Sequence, residues 1–173
     1  MEAKYNRGDY VRYACNGVCR VDDIRREARP GTREETEFYI LKPVASSGGT
    51  IFVPTENPVL LGKMQPLTTA EEIDGILTAV KEQPAPWLDD RKARTAAFQT
   101  VLKQSDLREM IEMVSCLYHR RQAIASRGRK LSSSDESVLR RAEGLVANEL
   151  AFVLQIEEKL VGPYIREKLG ISE

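Results

Sequence analysis

A chain of 173 residues, 42% hydrophobic and 30% charged, has room for two small cores, and two domains are expected. Its 26 basic and 26 acidic side chains cancel, so no global field announces a nucleic-acid partner, and no apolar run has the length of a membrane span. With no apolar stretch in Met1-Glu2-Ala3-Lys4-Tyr5-Asn6-Arg7 and only three cysteines, the composition excludes a disulfide-stapled secreted scaffold and points to a reducing, cytoplasmic setting.

From Tyr5 to Pro66 the pattern is that of β-structure. Asp9-Tyr10-Val11-Arg12-Tyr13 alternates polar and apolar residues, Asn16-Gly17 is a turn dipeptide, and Val18-Cys19-Arg20-Val21 resumes the alternation, which together predict a hairpin. Arg25-Arg26-Glu27-Ala28-Arg29-Pro30-Gly31-Thr32-Arg33 reads as a charged linker with Pro-Gly at a loop tip. Glu37 to Pro43 is a third strand, Ser46-Ser47-Gly48-Gly49 a turn, Thr50 to Pro54 a fourth strand, and Asn57 to Leu61 a short fifth. Four or five short strands separated by turn residues predict a small, strongly bent antiparallel barrel.

The pattern changes period at Leu67. Thr69 with Glu72 is a capping-box spacing, and Ile73, Ile76, Leu77 and Val80 follow at helical intervals to about Glu82. Pro84-Ala85-Pro86 interrupts, and Trp87, the only tryptophan, heads a second helix running to Lys103 with Ala93, Ala97, Phe98, Val101 and Leu102 inward. A lone Trp is most often core. Here the prolines fix the backbone on its approach, which suits a projecting aromatic wedge. Ser105 is expected to cap a third helix, Asp106 to about Ser126, stopped by Gly128. Ser133 with Glu136 opens a long helix that ends before Gly162-Pro163, and Pro163 starts a short terminal one over Tyr164–Leu169. The whole is therefore α+β in two domains: residues 1–66, a small β-barrel, and residues 67–173, an all-helical bundle.

The chemistry-bearing residues are few. No glycine-rich phosphate loop, HExxH or GxSxG pattern occurs, so the chain reads as no enzyme. Cys15 and Cys19 have the spacing of half a metal site without a second pair, and a Cys15 nucleophile would need the distant His119 as its base. Charge, by contrast, is unevenly spread. Trp87 to Lys130 carries ten basic residues against five acidic, whereas Leu131 onward carries five against eight. A basic stretch inside a neutral chain points weakly to phosphates, and a solvated helix surface explains it equally well.

The order of Arg7-Gly8-Asp9-Tyr10-Val11, Asn16-Gly17-Val18, Tyr39-Ile40-Leu41-Lys42-Pro43 and Ile51-Phe52-Val53-Pro54-Thr55-Glu56-Asn57, followed by one Trp at the head of a helical region, resembles the CarD/CdnL family of bacterial transcription regulators. Leu131-Ser132, Glu136, Leu139, Ala142, Leu145 and Glu149-Leu150-Ala151 are similar to that family's long helix. The resemblance implies a Tudor-like β-domain that docks on the RNA polymerase β subunit and a helical domain that contacts promoter DNA. Trp87 then wedges into the minor groove at the upstream edge of the melted region and stabilises the open complex without base readout. Lys92 matches a family basic position, and with its helix neighbours Arg91 and Arg94 it is expected to hold phosphates; polymerase docking is expected along the strand edge with Arg25, Arg26 or Phe52 contributing. No cofactor, metal or membrane is expected, and a monomer on the bacterial nucleoid is. Two departures stand out. Asp89 and Asp90 occupy positions where family members commonly carry basic residues, and Phe52 stands where they often have one. Acids beside the wedge leave open a protein-only adaptor that has lost DNA contact, and they also suit a helix N-terminus.

Overall fold

The computed structural model describes residues 4–28, 31–45 and 48–172, which fall into two compact units, Met1–Leu67 and Thr68–Glu173. The first holds an antiparallel sheet of five strands, β1 (Tyr10–Tyr13), β2 (Val18–Ala28), β3 (Glu35–Pro43), β4 (Ile51–Pro54) and β5 (Met64–Pro66), in the order β4-β3-β2-β1-β5. A helical turn, α1 (Pro58–Gly62), packs against both edge strands, β4 and β5. The second unit is built from α2 (Ala70–Glu82), α3 (Arg91–Gln104), α4 (Leu107–Ala125), α5 (Ser133–Leu154) and α6 (Glu158–Leu169). The α+β class expected from the change of period is the class observed.

The hairpin forms around Asn16-Gly17, with Gly17 at φ 71° and Tyr10, Val11 and Arg12 opposite Arg20, Cys19 and Val18. Alternation sends Val11, Tyr13, Cys19, Val21, Tyr39, Leu41 and Val53 inward, where they meet Tyr5 and Met64. Tyr5 closes this core twice over: its hydroxyl donates to the Met64 carbonyl at 3.1 Å, and its ring meets Tyr39 edge-on at 6.1 Å.

Two expectations for this unit need correcting. Arg25 to Ala28 is not linker but the second half of β2, paired with β3 from Arg25↔Phe38 to Ala28↔Glu35. Charges are tolerated there because they have cross-strand partners, such as Arg26 with Glu37 at 3.5 Å. The fifth strand is Met64–Pro66, whereas Asn57–Leu61 forms the cap and body of α1: Asn57 Oδ1 accepts from the Val59 and Leu60 amides at 3.1 Å, and Pro58 fits the first helical position. The tip Pro30 and the turn residues Ser46 and Ser47 lie outside the described residues.

In the helical unit the capping box of Thr69 and Glu72 is present in both directions. Elsewhere the caps fall one residue from expectation. Asp106, not Ser105, accepts from the Glu109 amide, while Ser105 ends α3 in the left-handed region; Ser132, not Ser133, accepts from the Asp135 amide. The long helix also stops earlier than Gly162-Pro163, at Gln155 with φ 55°, and Pro163 lies inside α6 instead of starting it. Ile73, Leu77, Leu117, Leu139, Val146, Leu150 and Ile165 are among the residues that interlock at the centre.

Candidate functional site

The segment from Pro84 to Asp90 belongs to no helix or strand, so Trp87 does not head the second helix as expected; α3 begins at Arg91 behind the Asp90 cap, and Ala93, expected inward, is exposed while Arg94 is buried. An irregular strap leaves backbone carbonyls that need donors, and two prolines remove its own amides from that role. Three carbonyls find side-chain donors on the helices beneath. Cys116 Sγ on α4 donates to Pro86 O at 3.8 Å, and Arg94 Nη1 on α3 donates to Leu88 O at 2.8 Å and Asp89 O at 3.3 Å. The strap is thereby tied down on both sides of Trp87.

Trp87 is half-buried, its ring packed against the helical core without being enclosed by it. Two guanidinium carbons lie over it, that of Arg94 at 4.3 Å from the ring centre and that of Arg120 at 5.1 Å. Leu88, the next residue, is 45% exposed. Asp90 caps α3, its Oδ1 accepting from the Ala93 amide at 2.7 Å, so this acid is engaged by the helix N-terminus. Asp89, Arg91 and Lys92 are exposed.

Arg94 behaves differently from its expected companions. Only 6% exposed, it forms a bidentate pair with Asp135, itself 4% exposed, through Nε–Oδ1 at 3.2 Å and Nη2–Oδ2 at 3.1 Å. Ser132 Oγ donates to Asp135 Oδ2 at 2.8 Å and holds the carboxylate from the other side. The signal was in the sequence. Arg94 stands one and two four-residue steps before Phe98 and Leu102, and Asp135 precedes Val138, Leu139 and Ala142, so helical spacing puts both on inward stripes. Arg120 was likewise missed as a neighbour of the Trp, although it follows Cys116 by one turn of α4. Burial pushes the Cys116 thiol above its ordinary pKa, with the positive charge of Arg94 partly opposing.

In the β-unit, Phe52 lies on β4, an edge strand, and is 47% exposed, so it is not core. Its ring meets Phe38 edge-on at 6.3 Å. Register places Arg25 opposite Phe38 and Phe52 opposite Ile40, so Arg25, Phe38, Ile40 and Phe52 share the outer face of the sheet. Asp23 pairs with Arg25 at 2.7 Å, and hydrogen bonding to that guanidinium holds the carboxyl below its usual range. Arg26 falls on the other face, beside a cleft of about 630 Å³ lined by Tyr5, Glu35, Glu37, Tyr39 and Leu61. The three residues expected to meet polymerase are thus split between two faces.

Cys15 is exposed and Cys19 buried, the latter's thiol pushed up to about 11 by desolvation; His119 is exposed on α4. No group of three or more His, Cys, Asp or Glu gathers as metal ligands among the described residues. No described helix is long and apolar enough to cross a membrane.

Two family models match the chain: the CarD-like/TRCF RID domain over residues 5–67, and the CarD C-terminal domain over residues 76–166. No curated protein matches it.

Proposed function

Because the chain belongs to the CarD-like family of non-catalytic, transcription-associated proteins that interact with RNA polymerase, we propose that it docks on the polymerase β subunit through its β-unit and stabilises the open promoter complex through Trp87. The single observation that carries the reading is the presentation of the lone tryptophan: half-buried, on a strap pinned by three side-chain hydrogen bonds, with cations over the ring. An apolar plate held this way enters the minor groove at a base step that is already strained, at the upstream edge of the bubble. There it opposes re-annealing, the unstacking cost being offset by contacts to the distorted duplex. No base-edge reader accompanies it, so the effect is independent of sequence beyond the ease of deformation.

Arg91 and Lys92 on the first turn of α3 are the phosphate contacts in this reading, joined by Arg120. Arg94 acts from beneath the ring, since its guanidinium is occupied by Asp135 and two carbonyls. On the polymerase side, β4 ends the sheet among the described residues and offers a strand edge, with Phe52, Phe38 and Arg25 on the adjoining face.

The test is Trp87→Ala in a competitor-challenge assay of open-complex lifetime. The variant should bind polymerase as the parent does and lose most of the lifetime extension. A shift of about tenfold corresponds to about 1.4 kcal/mol of differential stabilisation. Full retention of the effect would instead leave a polymerase-bound adaptor whose helical unit does not touch DNA.

A further inference from the structure

We propose that Arg94, fixed by Asp135, is a positioning residue that sets the angle and stiffness of the Trp87 ring and makes no contact with DNA. The inference rests on the wedge reading above and deepens it. One planar guanidinium does three things at once. Its Nε and Nη2 face the Asp135 carboxylate, its Nη1 reaches the carbonyls of Leu88 and Asp89 immediately after Trp87, and its carbon lies 4.3 Å from the centre of the indole. All five donors of an arginine are arranged in a rigid fork, so fixing one edge on Asp135 fixes the others. The carboxylate cannot drift either, because Ser132 Oγ donates to it and also receives the Asp135 amide at 3.1 Å, locking it to the first turn of α5. The chain of contacts runs from α5 through α3 to the strap, and its last member is the ring.

A phosphate contact and a mount are distinguishable. A side chain 6% exposed, with four of its five N–H groups already given to protein acceptors, is a poor phosphate contact. Loss of a mount therefore leaves the salt dependence of DNA engagement untouched, whereas loss of a phosphate contact lowers the slope of log K against log salt by about 0.9. A mount also acts before DNA arrives, by restricting the ring in the free protein.

Because Trp87 is the sole tryptophan, its fluorescence reports the ring directly. The variant to use in the full chain is the double replacement Arg94→Met/Asp135→Leu, which removes the buried pair without stranding either charge and keeps the helical unit folded. Arg94→Met alone serves for comparison, with circular dichroism to confirm folding. The expected results for the double variant are faster acrylamide quenching and lower emission anisotropy of Trp87, an open-complex lifetime shortened about two- to tenfold by the restored rotamer freedom, and an unchanged salt slope. A folded double variant with parental quenching and lifetime would overturn the proposal, as would a salt slope reduced by about one charge. Should Trp87→Ala prove silent in the lifetime assay, the wedge reading falls separately. The fluorescence measurements then decide whether Arg94 mounts the ring.

Discussion

Replacing Asp135 by alanine removes the acceptor for half of the Arg94 fork and leaves a cation buried at 6% exposure. The Leu88 and Asp89 carbonyls at 2.8 and 3.3 Å remain as partners, so the guanidinium is under-compensated but not bare. Breaking a buried pair by removing one member typically costs about 3–5 kcal/mol, and the surviving carbonyls place this case near the lower end, about 3 kcal/mol. Against a domain stability of about 5–15 kcal/mol that is a large fraction. With a urea dependence of about 2 kcal/mol per molar, the midpoint of the helical unit should fall by about 1.5 M. The assay is urea unfolding followed by far-ultraviolet circular dichroism, run on the parent, Asp135→Ala, Arg94→Met and the double change. The double change should recover most of the loss, since the penalty belongs to the stranded charge. If Asp135→Ala loses less than about 1 kcal/mol, or the double change is no better than the single, the pair is not the buried, mutually dependent unit described here.

Two further outcomes follow from exposure and charge. Iodoacetamide at pH 8 should label Cys15 alone in the native protein, because burial holds Cys19 as a thiol up to about pH 11 and also raises Cys116; mass spectrometry showing two or three labels without denaturant would contradict the packing, and retention of the open-complex effect after labelling disposes of a Cys15 nucleophile. Asp89→Lys should tighten DNA engagement and steepen its salt slope by about 0.9, whereas Asp90→Lys should destabilise the helical unit by about 1 kcal/mol through loss of the α3 cap; equal effects of the two on both readouts would refute the separate roles assigned to these neighbours.

What the sequence disclosed depended on whether a signal was local. The hairpin at Asn16-Gly17 and the capping box of Thr69 and Glu72 are complete within a few residues, and both formed as read. The charged run after Ile24 misled because its charges look like linker until their cross-strand partners on β3 are known. Ser105 and Ser133 misled because a better cap stands beside each, Asp106 in one case and Ser132 in the other. Pro163 suggested a helix start, yet the chain had already turned at Gln155, a residue with no preference for the left-handed region that would mark it. At the candidate site the proline interruption before Trp87 was legible, but the strap was not: the second helix is expected to start near Trp87 or Leu88, whereas Asp90 caps it and it begins at Arg91. Arg94 is expected from its place beside Lys92 to hold phosphate, and its burial was not legible because its partner Asp135 lies 41 residues away, although its position four residues before Phe98 puts it on the inward stripe.

The buried arginine follows from the strap. A ring carried on a regular helix would be backed by the helix's own hydrogen bonds, whereas a ring on an irregular segment needs its flanking carbonyls satisfied from outside. Lysine offers a single ammonium centre and could not span Leu88 O, Asp89 O and a carboxylate while presenting a flat face to the indole. Arginine can, but a guanidinium that far inside the bundle requires a counter-charge, and Asp135 supplies it from a different helix. Stability of the helical unit and presentation of the wedge therefore depend on the same four groups: Ser132, Asp135, Arg94 and the strap carbonyls. Single substitutions that strand one member of the pair should move the urea midpoint and the Trp87 quenching together, whereas removal of both members should restore most of the midpoint and leave the quenching fast.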